Sequence, residues 1–194
     1  MLESIRIKIR ALIVDNGKSD IEIFSYTTSN IFTITQNNIT ILKVLLNGEE
    51  IEDYTFDSLT NKITIESSGL TTSDIIEVDY TYYKYSDTEI DGYIRSSLVF
   101  ISVHCYDDKD YELEYESGNV GNIVPTPDNR TTDLVALIAS ILIKPNWISY
   151  KLPNVSVVYP EKMTKEERIE KLISKFQIGL GANYILNFDI FPNI

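Results

Sequence analysis

The ten residues from Leu134 to Ile143 constrain this chain more than any others. Leu134, Val135, Leu137, Ile138, Ile141, Leu142 and Ile143 put apolar side chains on almost every side of a helix. A helix without a polar face must be covered all round. This one is too short to cross a bilayer, which takes about 20 residues. Lys144-Pro145 stops it, because proline lacks an N–H and its ring clashes with the preceding turn. Thr131 or Thr132 is placed to cap its start. The segment is therefore expected at the centre of the core, covered by its own fold or by neighbouring subunits.

Two other helices have plain signatures. Ser86-x-x-Glu89 has the form of a capping box, in which each side chain satisfies an orphan backbone N–H of the first turn. Ile90, Ile94, Leu98 and Ile101 then fall on one face of a helix running to about His104. Thr164 and Glu167 form a second box, followed by an apolar face of Ile169, Leu172, Ile173 and Phe176. Gly179 stands where a C-cap is wanted.

Before residue 86 the period is two. Ile5-Arg6-Ile7-Lys8-Ile9-Arg10 alternates strictly, which is the pattern of a half-buried strand. Further strands are expected from Ile21 to Tyr26, Ile31 to Thr35, from Ile41 to Leu46, Tyr54 to Asp57, Ile63 to Ile65 and Ile75 to Tyr83. Asn47-Gly48 predicts a type I′ hairpin, since both residues tolerate positive φ. Later in the chain, Tyr111, Leu113 and Tyr115 alternate in a short strand, and Ser117 to Thr132 is aperiodic and reads as a mobile loop. Tyr150 to Tyr159 is extended, and Gly181 to Ile194 is an apolar, aromatic tail of a kind that docks on something.

Charge and chemistry narrow the function classes. Among 194 residues, 17 basic and 29 acidic ones give a net charge of −12. The basic residues are scattered and form no stripe that could track phosphates, so a nucleic-acid-binding surface is not expected. The N-terminus has neither a charged nor an apolar leader segment, so secretion is not expected. Acid–base catalysis near neutral pH most often relies on histidine. Here His104 and its neighbour Cys105 are the only residues of their types, and neighbours on a helix point about 100° apart. Cys105 is read as a small buried apolar group and His104 as a helix C-cap. Asp107, Asp108, Asp110, Glu112 and Glu114 lack the spacing and the glycine of a calcium loop. One Cys and one His cannot close a zinc shell, and Gly118-Asn119-Val120-Gly121-Asn122 is no phosphate loop. Tyr80, Tyr82 and Tyr83 read as cross-strand pairs of a sheet, with a sugar-binding platform (together with Trp147) as the other reading. No catalytic residue, metal or cofactor is expected.

From Asp87 to Phe176 the order is a capped helix (Glu89-Ile90-Asp91-Gly92-Tyr93-Ile94-Arg95-Ser96-Ser97-Leu98), a small acidic hairpin and a long loop. A very apolar helix ending in Lys144-Pro145-Asn146 follows, then a capped helix from Thr164. This order resembles the helical core of head-to-tail connector proteins of tailed bacteriophages, also called adaptor, ring or head-completion proteins. The segment from Val44-Leu45-Leu46-Asn47-Gly48-Glu49 to Val78-Asp79-Tyr80-Thr81-Tyr82-Tyr83 is similar to β-modules that recur in phage virion proteins. The resemblance implies a non-enzymatic structural protein of the virion neck, made in the bacterial host cytoplasm. It implies a homo-oligomeric, dodecameric ring bound to the portal protein and to other neck or tail proteins. DNA would pass through its lumen without sequence-specific binding, and no membrane is involved. A monomeric β-rich binding module, for carbohydrate or for fibre or baseplate attachment, is the alternative.

The expected fold class is α+β. Residues 1–85 form an antiparallel β-meander or small sandwich. Residues 86–180 form a three-helix connector-like core with a hairpin and a long loop, and 181–194 a docking tail. The expected partner contacts are Leu134, Leu137, Ile138 and Ile141 on the central helix, Asn119 and Asn122 in the loop, and Tyr184, Phe188 and Phe191 in the tail.

Overall fold

A computed structural model of the chain describes residues 1–104, 106, 109–116, 119–153, 155–177 and 184–187, with side chains described at all of these except 115, 116, 119, 120 and 184–187. Within them lie helices α1 (Leu2–Ile13), α2 (Asp87–Val103), α3 (Asn129–Ile143) and α4 (Lys165–Gln177). The strands are β1 (Lys18–Ser25), β2 (Ile31–Thr33), β3 (Ile39–Leu46), β4 (Glu49–Glu50), β5 (Tyr54–Asp57), β6 (Lys62–Ile65), β7 (Ile75–Tyr82), β8 (Glu112–Glu116), β9 (Asn119–Val124), β10 (Ser149–Lys151), β11 (Val155–Val158) and β12 (Tyr184–Asn187). The fold is α+β, and its strands pair antiparallel except for β12, which runs parallel to β11. The chain divides into two units, Asp15–Ser86 and the pair of segments Met1–Val14 with Asp87–Ile194.

The unit of residues 15–86 is a small sandwich. One sheet has the order β1-β7-β3-β4 and the other the order β2-β6-β5. Val44, Ile76, Val78 and Tyr80 from the first sheet share one core with Phe32, Ile63 and Ile65 from the second. The Phe24 and Phe32 rings meet at 5.2 Å between centroids. Asn47 and Gly48 both adopt positive φ (52° and 85°), which gives the tight β3–β4 turn its twist. Asn47 Nδ2 also donates to Asp74 Oδ1 at 2.7 Å, fixing this turn to the start of β7. The first and last strands of the unit are neighbours, and the buried Asp15 carboxylate accepts the backbone N–H groups of Lys84 (2.9 Å) and Tyr85 (3.3 Å). Both ends of the unit are thereby clasped together.

The N-terminal segment corrects the sequence reading: Ile5–Arg10 is not a strand but the middle of α1. Two periods coexist in those residues, and the longer window decides between them. Leu2, Ile5, Ile9, Leu12 and Ile13 are all buried at helical spacing. Ile7, which a strand would have turned inward with Ile5 and Ile9, is 58% exposed. The described residues of the unit that contains it therefore form four helices rather than three, and the β-rich region begins at residue 15.

In this unit α1, α2 and α4 all pack against α3. Every residue of α3 from Thr131 to Ile141 is buried. The cap is a second correction. Asp128, not Thr131 or Thr132, precedes the first turn, and its side chain accepts the Thr131 N–H at 2.6 Å. That bond holds the Asp128 carboxyl below its ordinary range. A third correction concerns the aperiodic stretch 117–132, whose described part holds a strand and the first turn of α3 rather than a continuous loop. Asn119–Val124 pairs with β8 through a bulge at Glu114/Tyr115, burying Leu113 and Ile123. The capping box at α4 forms as expected, with Thr164 N–H to Glu167 Oε2 at 2.9 Å and Glu167 N–H to Thr164 Oγ1 at 3.3 Å. Among the described residues, no helix is long and apolar enough to cross a membrane.

Candidate functional site

The residues picked out by sequence separate into three groups. Leu134, Leu137, Ile138 and Ile141 are each 0% exposed within their own chain. They are core residues and have no surface left for a partner, which corrects their reading as oligomer contacts. The physical reason is α1: once the N-terminal segment is helical, α3 gains the cover that a neighbouring subunit would have had to supply. Asn122 lies exposed on β9. Asn119 shares that strand, and Tyr184 opens β12, paired in register with Val155. Phe188 and Phe191 lie outside the described residues, as do Cys105, Asp107 and Asp108.

Charged side chains of α1 hold helices of this unit together. Arg6 grips Asp91 with two bonds, Nε to Oδ1 at 2.9 Å and Nη2 to Oδ2 at 2.6 Å. This bidentate geometry, with the negative charge of Asp91 and Asp87 beside it, raises the Arg6 pKa further. Arg10 reaches Asp87 at 2.8 Å, and Lys8 reaches Asp133 at 2.6 Å and Thr132 Oγ1 at 3.1 Å. Thus the charged residues of Ile5–Arg10 tie α1 to α2 and α3. Sequence reasoning missed this network, though a signal was present: Arg6 and Arg10, like Asp87 and Asp91, stand four apart, the spacing that aligns side chains on one helix face.

A second polar cluster lies behind the end of α3. Lys144 Nζ donates to the Ile13 carbonyl and sits 3.8 Å over the Trp147 ring. Tyr150 donates its hydroxyl to the Lys144 carbonyl at 2.7 Å, and burial pushes its pKa up to about 12. Tyr159 packs edge-on against Tyr150, and burial drives its hydroxyl pKa upward as well. The Arg168 guanidinium, 3% exposed, donates through Nη1 to the carbonyls of Pro145 and Trp147, each at 2.8 Å. These groups satisfy carbonyls of the turn after α3.

His104 stacks on Phe100 at 6.4 Å, and its carbonyl accepts from Gln177 at 3.1 Å. Asp110 of the acidic stretch accepts from Ser102 Oγ at 2.7 Å. Among the described residues, no group of three or more His, Cys, Asp or Glu side chains could hold a metal ion.

Between α2 and β8 runs an open groove of about 570 Å³, floored by Leu98, Tyr111 and Leu113 and edged by Val99 and Val103. Those two valines are 57% and 71% exposed. The groove and the β8–β9 hairpin are features of the helical unit; the sandwich has its own apolar surface on β1. No protein-family model matches the chain, and no curated protein matches its sequence.

Proposed function

We propose that this chain is a structural protein of the virion neck of a tailed bacteriophage, a ring-forming connector that joins the portal to the tail and lets DNA pass. The observation that supports this reading best is the self-contained helical unit. Its α2–hairpin–α3–α4 order follows the connector-like order seen in the sequence, and α1 completes the cover of α3. A subunit whose core closes on its own can enter a ring through surface features such as the hairpin and the α2–β8 groove. The acid excess supports the passage of DNA, since a lumen lined by carboxylates repels phosphates rather than binding them. The reading assigns no catalytic role to any residue and no cofactor. Its partners are the portal protein and other neck or tail proteins, and copies of itself in a dodecameric ring.

The test is negative-stain electron microscopy of the purified chain, alone and mixed with its portal protein. Rings with a central lumen stacked on the portal are expected. A chain that stays monomeric with portal present, and changes its melting temperature on adding glycans, would instead favour a monomeric β-rich binding module.

A further inference from the structure

Strand β1 is built inside out. By its register with β7, Asp20 stands beside Tyr80, Glu22 beside Val78 and Phe24 beside Ile76, on the face that carries the sandwich core. Ser19, Ile21, Ile23 and Ser25 therefore face away from it. Ile21 is 54% exposed and Ile23 64%. A slip of one residue would bury both isoleucines. It is prevented by the carboxylates: the Tyr80 hydroxyl donates to Glu22 at 2.7 Å and to Asp20 at 3.4 Å. Glu22 also accepts the Thr35 N–H at 2.9 Å and its hydroxyl at 3.3 Å. The outward isoleucines are thus held in place by specific bonds.

The same strand is the outer strand of its sheet, paired with β7 on one side only among the described strands. An eight-residue edge with an apolar outer face is a template for another strand. Its outer face also reads the same in both directions: Ser19, Ile21, Ile23 and Ser25 are symmetric about Glu22. In an antiparallel pair of two β1 strands centred there, Ile21 lies opposite Ile23 and Ser19 opposite Ser25, twice over. No charged residue of β1 stands on that face: Asp20 and Glu22 lie on the other, where the axis sets the two Glu22 opposite each other, each bonded within its own chain to Tyr80 and Thr35. One donor must be released, since the Ile21 N–H is held by Asp20 Oδ1 at 2.9 Å.

We infer that β1 pairs antiparallel with β1 of a second copy of this chain about a two-fold axis at Glu22, joining two four-stranded sheets into one. Such a contact is self-complementary and closes at two copies, so it is distinct from the contacts that would propagate a ring. It does not depend on the function proposed above. A strand-sized contact falls well below the roughly 1,600 Å² of a standard stable interface, so the pair dissociates in the range of about 10–100 μM.

Sedimentation of the whole chain from about 5 to about 300 μM tests this range. The 22.2 kDa species should shift towards twice that mass as concentration rises. The variant Ile21→Thr/Ile23→Thr, which keeps β-branched residues, should remain monomeric with an unchanged melting temperature. A register test stands beside it: Ser19→Cys/Ser25→Cys in a Cys105→Ser background should form disulfide dimers on oxidation. Ser19 and Ser25 lie about 20 Å apart along one strand, too far to bridge within a chain. Ser19→Cys/Cys105→Ser alone should cross-link far more slowly. A wild-type chain that stays at 22.2 kDa throughout would overturn the inference. So would assembly unaffected by the threonine pair, or equal cross-linking by the single cysteine.

Discussion

In the helical unit eleven consecutive residues of α3, Thr131 to Ile141, are buried, whereas in the sandwich burial alternates along β7 and no residue of β1 is fully buried. The two units also place their charges differently. Arg6, Lys8 and Arg10 neutralise Asp87, Asp91 and Asp133 between helices. The sandwich segment 15–86 has twelve acidic residues against four lysines, a net −8 of the chain's −12. The contrast teaches where an assembly surface can lie. A helix enclosed on all sides offers a partner nothing, whereas the groove and the outer strand leave apolar side chains exposed among the described residues. The core of one unit is centred on a single element, while the other's is shared between two sheets.

The largest effect is expected at the enclosed helix. Leu137→Ala removes a fully buried side chain and should cost about 2–5 kcal/mol in urea melts. Near-wild-type stability would erase the contrast between the units. Next comes Arg6→Met, which leaves the 5%-exposed Asp91 without its bidentate partner. A loss of about 2 kcal/mol is expected, less than for a wholly buried pair because Arg6 still meets solvent. If the loss is negligible, α1 is held by its apolar face alone.

How far the sequence could anticipate these differences depends on how local each signal was. The α4 box and the Asn47-Gly48 turn are decided within four residues, and both form as read. The apolar run of α3 announced a buried helix, but its cover came from a segment more than a hundred residues away. That segment, Ile5–Arg10, satisfies two periods at once, so a six-residue window could not choose between them. The strand Asn119–Val124 was hidden for a different reason: asparagine and glycine weaken the β signal, and only pairing with β8 rescues it. The buried role of Leu134, Leu137, Ile138 and Ile141 was legible as burial. Which body buries them was not, because that is a property of tertiary packing rather than of the pattern.

Smaller effects sharpen the picture. Asp128→Ala should cost about 1 kcal/mol by removing the α3 cap. Its pH dependence has a definite sign. The folded-state pKa is depressed, so the carboxylate's contribution is complete above the unfolded value of about 3.9. It is lost as pH falls through the lower folded value. The cost of the substitution should therefore shrink in acid, as urea melts at neutral and acidic pH would show. The smallest change is expected for Ile21→Thr/Ile23→Thr in the monomer, within about 0.5 kcal/mol, because both side chains already face solvent. A much larger loss would mean that β1 is turned the other way.

Hydrogen exchange along α3 tests most directly whether the helix is closed by its own chain. In the free monomer, amides from Leu134 to Ile141 should be among the slowest in the protein, opening only with global unfolding. Their rates should not change when the chain assembles. Fast exchange in the monomer that slows on assembly would contradict this account, because neighbouring subunits would then supply the cover assigned here to α1, α2 and α4.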